Sequence, residues 1–271
     1  MKPGIVPLRP LGVGEILDGA VTAVRRVPSI LLPSAGIAAV NTLLTFALQT
    51  SLLRVNDTAD VSGSEAAGVF GGALLTVAIS SIAALLLASL AAVVIREGIL
   101  GRRVTMTEAW QQARPRIGTV VGAGILGTLG WLAASVTVVG GVFLYVSWHF
   151  ATVVAVVEGG TVTGVLRRSM AVVRNRWWRT FGILLLVYIV ARVIEFVVAV
   201  PFSILGGGGA NLFGGTSLST GALAVSDIGQ LLAYTLVTPF SVCASALLYV
   251  DNRMRAEGLD VALRQAAAHA T

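Results

Sequence analysis

Charge is scarce in this chain. Only 12% of its 271 residues are Asp, Glu, Lys or Arg. Soluble domains carry roughly 25%, so this surface would not keep a folded chain in water. Lysine is nearly missing: Lys2 stands alone among 19 basic residues. There is one cysteine, Cys243, which excludes a disulfide within the chain. The two histidines, His149 and His269, have no cysteine, carboxylate or second histidine at metal-ligand spacing. The acidic residues are few and scattered over different loops. No paired carboxylates, Ser-His-Asp set, cysteine cluster or phosphate loop emerges. The expectation is a protein that is not an enzyme and that carries no metal and no cofactor. A secretory leader is not expected either, because the first apolar run begins only near Val27, after a polar stretch.

What the chain does have is length of apolar sequence. It is 56% hydrophobic, with a mean hydropathy of +0.88. Five apolar blocks stand out, at 28–53, 67–95, 117–157, 181–205 and 222–250. Runs beyond about 18 residues are the transmembrane signature. The third block is too long for one span. Roughly 40 residues make about 60 Å of helix, against a hydrocarbon core of about 30 Å. It must fold back, and Gly140-Gly141 is the natural turn, because glycine relaxes the backbone there. Six transmembrane helices follow, at 28–53, 67–95, 117–138, 142–158, 181–204 and 222–250.

Charge tests that count. The net charge is +6, but the basic residues sit in clusters between apolar runs, so they speak of topology and not of nucleic acid. Six spans place Arg25-Arg26, Arg102-Arg103, Arg167-Arg168 and Arg253 to Arg255 on one side. The other side receives Arg54 alone. Five spans would split the clusters between the two sides. The positive-inside rule therefore favours six spans in the cell (plasma) membrane, with both termini cytoplasmic.

Three basic segments read as interfacial amphipathic helices, at 11–26, 105–114 and 162–176. In the last, Val162, Val165, Leu166, Met170 and Val173 fall on one face, with Arg167, Arg168 and Arg174 opposite. Trp177-Trp178 then marks headgroup depth. Arg167, Arg168, Arg174, Arg176 and Arg179 form a candidate face for a lipid headgroup or a protein partner. Thr105 and Glu108 have capping-box spacing.

Within the spans, four polar residues make a candidate site: Arg192, Glu195, His149 and Asp227. Arg192 lies near the middle of its span, where an arginine costs at least about 2.5 kcal/mol. Glu195 is three residues on, hence on the same helical face, and can neutralise it. This reads either as a polar pathway or as a buried ion pair holding the bundle. Asp227 and Gln230 are further possible partners for Arg192. His149 beside Trp148 reads as a structural histidine or a proton relay. Gly122, Gly124 and Gly127 match a dinucleotide-binding pattern, but lie inside an apolar run with no strand before them. Close helix packing explains them better.

Two runs carry a resemblance. One is Leu8-Arg9-Pro10-Leu11-Gly12-Val13-Gly14-Glu15-Ile16-Leu17-Asp18-Gly19-Ala20. The other runs from Ala246 to Asp260 and includes Tyr249-Val250-Asp251-Asn252-Arg253. With Arg167-Arg168-Ser169 and Trp177-Trp178-Arg179 between them, they resemble the glycerophosphoryl diester phosphodiesterase membrane domain of stand-alone actinobacterial membrane proteins. The resemblance implies the membrane unit without the phosphodiesterase barrel, for which this chain has no room.

The expected fold is all-α, a polytopic helical membrane bundle forming a single membrane domain over 1–271. The expected role is a scaffold or partner subunit in envelope or lipid-related processes. The alternative is a transporter or lipid-handling protein using Arg192 and Glu195. Expected partners are membrane lipids, anionic ones in particular, with a protein partner or a homo-oligomer also open, and no nucleic acid.

Overall fold

The computed structural model describes residues 11–26, 28–56, 63–99, 104–206 and 220–257. These form helices α1 (Val13–Arg26), α2 (Leu31–Asn56), α3 (Gly63–Ile99), α4 (Met106–Ala113) and α5 (Ile117–Ala134). They continue as α6 (Val138–Trp148), α7 (Ala151–Val157), α8 (Val162–Arg174), α9 (Trp177–Leu205) and α10 (Thr220–Glu257). There is no strand among the described residues. Six stretches are long and apolar enough to cross a membrane: Leu31–Ser51, Ala67–Glu97, Met106–Ala134, Val138–Val157, Trp177–Leu205 and Thr220–Ala256. This is the build of a multi-pass membrane protein. Their outer faces agree, since Leu43, Phe70, Leu129, Val138 and Phe196 are all exposed, and a water-facing surface does not carry apolar patches of that extent.

The contacts divide the chain into two compact units. The first holds α1, α3 from Leu85, α4 to α8, α9 to Val190 and α10 from Pro239. The second holds α2, α3 to Ala84, α9 from Ala191 and α10 to Thr238.

In the first unit, local capping sets the helix ends. Glu15 accepts from the Gly12 N–H at 2.8 Å at the start of α1, and Arg25 and Arg26 face the negative end of its dipole. Thr105 and Glu108 cap α4 reciprocally. The α5–α6 connection departs from the sequence expectation. The turn is at 135–137, not at Gly140-Gly141. Ser135 closes α5 with its N–H on the Trp131 carbonyl, and Thr137 starts α6 by accepting from the Gly140 N–H. The two glycines serve close approach instead. A Cβ on Gly140 would stand 2.8 Å from the Ala134 carbonyl oxygen, and one on Gly141 would stand 3.2 Å from Ser135 Cα. After Trp148 the helix breaks at His149-Phe150 and resumes as α7.

Gly122 and Gly127 face Val162 and Leu166, and Gly130 faces Trp148. The glycine pattern in α5 is thus a packing surface, and α8 runs beside α5 in the same direction. The apolar face of α8 (Val165, Leu166, Val172 and Val173) is buried. Its Ser169 hydroxyl donates to the Ser147 carbonyl at 2.8 Å. Protein, not lipid, covers that face.

In the second unit, small and polar residues hold helices together. Ser80 donates to the Asn41 side chain at 2.6 Å. Gly229 lets α10 pass close to Phe202, where a Cβ would stand 2.6 Å from the Phe202 Cβ. Pro239 has no N–H for the Thr235 carbonyl, and the Ser34 hydroxyl donates to it instead, at 3.1 Å.

Candidate functional site

The five arginines of 167–179 do not form one face. Arg167 and Arg174 are exposed. Arg168 turns inward and donates to Glu158 from Nε at 2.7 Å and from Nη2 at 3.1 Å. Arg176 donates to the Arg255 carbonyl. Arg179 pairs with Asp251 and also donates to the Leu11 carbonyl at 3.1 Å.

The acids that receive them define two clusters at the end of α10. Glu158 caps α7, where Gly159 and Gly160 take φ of +77° and +115° to turn the chain into α8. That left-handed geometry favours glycine. Besides Arg168, Glu158 accepts from the Tyr249 hydroxyl and lies 3.6 Å from Arg253. Burial pushes its carboxyl up, but the Arg168 and Tyr249 hydrogen bonds and the two guanidinium charges outweigh this. The net result is a value below the ordinary one. Asp251 is fully buried and takes Arg179, Arg255 and the Leu11 N–H together. Asn252 beside it donates to Thr180 at 2.9 Å. The fold thus brings two arginines to each of two single acids, Glu158 and Asp251.

Next to these clusters lies a groove. Phe143, Trp177 and Phe181 stack nearly parallel, with centroids 5.9 and 5.4 Å apart, and Trp178 meets Trp177 edge-on. This aromatic wall, with Val138, Val139 and Val142, bounds a cavity of ≈ 800 Å³ rimmed by Arg174, Arg176 and Arg179. A second cavity of ≈ 660 Å³ shares Val138, Val142 and Phe181 and runs between α6 and α9 past Leu184 and Leu185 to Tyr145 and Tyr188. Together they make an apolar trough with cations at one end.

The intramembrane candidates fall in both units. His149 belongs to the first unit, where Nε2 meets the Ser245 hydroxyl at 2.9 Å and the ring packs against Tyr145 and Phe150. Arg192, Glu195 and Asp227 belong to the second. Arg192 pairs with Glu195 along α9. The Arg192 side chain is 55% exposed and that of Glu195 9%. Asp227 is buried, and the Gln49 side chain hydrogen-bonds it.

The family model described as Domain of unknown function (DUF7847) matches residues 111–252. The chain belongs to that family. The matched stretch holds Glu158, the arginines 167–179, the α6–α9 trough and Asp251. No curated protein and no solved structure matches the chain.

Sequence reasoning missed Glu158, Tyr249 and Arg253. The signal for Glu158 was its place between an apolar run and Gly159-Gly160, the mark of a fixed helix exit.

Proposed function

We propose that this protein is a non-catalytic integral membrane protein that holds an anionic phospholipid. In this reading it is a scaffold or partner subunit of an envelope or lipid-related process in the plasma membrane. The observation that carries the reading is the trough between α6 and α9, apolar along its length and rimmed by arginines at one end. Its shape suits an acyl chain, and its mouth suits a phosphate. Arg174 is exposed at that mouth, and each basic residue near an anionic surface attracts it by about 1 kcal/mol. Trp177 and Trp178 suit headgroup depth. The positive-inside rule puts this end, and both termini, on the cytoplasmic side. The resemblance to the glycerophosphoryl diester phosphodiesterase membrane domain supports the same lipid-linked setting.

The test is lipid retention. The purified protein is exchanged into nanodiscs of equal phosphatidylglycerol and phosphatidylcholine, then released and examined by native mass spectrometry. Retained phosphatidylglycerol should exceed phosphatidylcholine several-fold. Arg174→Gln should bring the ratio toward one, and Leu185→Trp, which fills the trough, should reduce both lipids. Equal retention of the two lipids by the wild type would overturn the reading.

A second reading, transport through a polar site in the membrane, is favoured by Arg192 and Glu195, a charged pair inside a span. It expects Arg192→Ala to fold and to lose a transport-linked phenotype. Loss of stable expression would assign the pair to structure instead.

A further inference from the structure

Among the described residues, the second unit holds four buried side-chain oxygen atoms with no hydrogen-bond partner. One is the Thr42 hydroxyl; the other three are Asp227 Oδ2, Gln49 Oε1 and Gln230 Oε1. Asp227 is 8% exposed. Gln49 reaches it from α2 with a side-chain hydrogen bond. Gln230 follows three residues along α10, on the same helical face. Asp227 thus keeps one carboxylate oxygen unanswered within a stretch long and apolar enough to cross a membrane. Buried polar atoms are otherwise paired in nearly all proteins, and an unpaired carboxylate in a low-dielectric medium is costly.

Asp227 Oδ2 has no hydrogen-bond partner among the described residues. Glu195 on α9 has Arg192, one turn away on the same helix. Ser80 on α3 is spent on Asn41 of α2. Ser226, next to Asp227 on α10, donates to its own helix at the Ala222 carbonyl.

We propose that Asp227, Gln49 and Gln230 form a binding site for a dehydrated alkali-metal cation. All three free atoms are hard oxygen donors, which suit a hard cation and not a soft one. One carboxylate matches one positive charge, so a monovalent ion leaves the site neutral. A divalent ion would leave a net charge buried in the membrane, where it is expensive. This site lies in the second unit and does not depend on the lipid trough of the first.

Full-length protein in nanodiscs is held at pH 7.5 and constant ionic strength. Sodium, potassium or lithium chloride replaces N-methylglucamine chloride. One of the three should raise the unfolding midpoint by several degrees in a saturable way, because a ligand bound only to the folded state stabilises it. Radioactive ²²Na⁺, alone and in competition with K⁺ and Li⁺, should bind at about one ion per chain. Asp227→Asn keeps the shape and removes the charge, so it should abolish both responses. Gln230→Leu, which leaves the carboxylate in place, should weaken binding at least tenfold. Arg174→Gln should bind the ion like the wild type.

Absence of a cation-specific midpoint shift and of ion binding in the wild type would overturn the proposal. So would full binding by Asp227→Asn. Tighter binding of Ca²⁺ than of any alkali ion would overturn the monovalent assignment. A midpoint that responds to pH and not to the cations, and loses that response in Asp227→Asn, would show that Asp227 carries a proton instead.

Discussion

The buried carboxylate of Asp251 accepts the backbone N–H of Leu11 at 2.7 Å. The two arginines paired with that carboxylate, Arg179 and Arg255, donate to the Leu11 carbonyl at 3.1 and 2.9 Å. Both polar groups of one backbone unit are thus tied to a charged cluster on α9 and α10. The chain just ahead of α1 is held by residues 168 to 244 positions away.

Asp251→Asn should therefore loosen the entry to α1. It leaves two guanidinium groups without their carboxylate. Removing one partner of a fully buried pair costs about 3–5 kcal/mol, but these arginine side chains keep 30% exposure, so about 2 kcal/mol is expected. Limited proteolysis should cut near Leu11 faster, and the unfolding midpoint should fall. An unchanged cleavage pattern would show that the cluster does not hold the segment.

How much of this was legible follows from sequence distance. Long apolar runs and clustered arginines are local signals, and they give the six helices. Arg192 and Glu195 pair within one turn, so their spacing reveals them. Arg179 and Asp251 are 72 residues apart, and Glu158 and Tyr249 are 91. No local period links such residues. Charge clustering alone assigns Arg168, Arg176 and Arg179 to a headgroup or partner face. The fold instead spends them on Glu158, the Arg255 carbonyl and Asp251, and leaves Arg167 and Arg174 exposed. The α5–α6 turn was misplaced for a related reason. Glycine signals both turns and close contacts, and only the packing of Ala134 against Gly140 separates the two.

Glu158 should make the protein acid-sensitive. Its carboxyl sits below the ordinary 4.5 in the folded state, and it regains that value on unfolding. The folded state therefore releases its proton more readily than the unfolded state does. The stabilisation is fully present above about pH 4.5 and is lost as pH falls through the lower folded value. Unfolding midpoints measured from pH 6 to pH 3 should drop more steeply for the wild type than for Glu158→Gln. Parallel curves would assign the acid response to other groups.

Two glycines in the α5–α6 hairpin should behave oppositely. Gly140→Ala places a methyl 2.8 Å from the Ala134 carbonyl oxygen, and backbone must shift. Overpacking of this kind costs about 1–3 kcal/mol. Gly118 has nothing within 4 Å of a built Cβ, so Gly118→Ala should be neutral or stabilising by up to about 1 kcal/mol through helix propensity. Thermal unfolding in one detergent compares them. Equal effects would contradict the close approach at Gly140.

Ser34 and Pro239 should be coupled through a single carbonyl. Pro239 cannot donate to Thr235, four residues earlier on α10, and the Ser34 hydroxyl supplies the missing hydrogen bond. Ser34→Ala alone leaves that carbonyl unsatisfied within a buried contact, at a cost of about 1–3 kcal/mol. Pro239→Ala restores the N–H, so the same serine substitution made on that background should cost about 1 kcal/mol less. A double-mutant cycle on the unfolding free energy measures the difference. An additive cycle would mean that the hydroxyl does not replace the proline's absent donor, and that Ser34, 1% exposed, is there for its size alone.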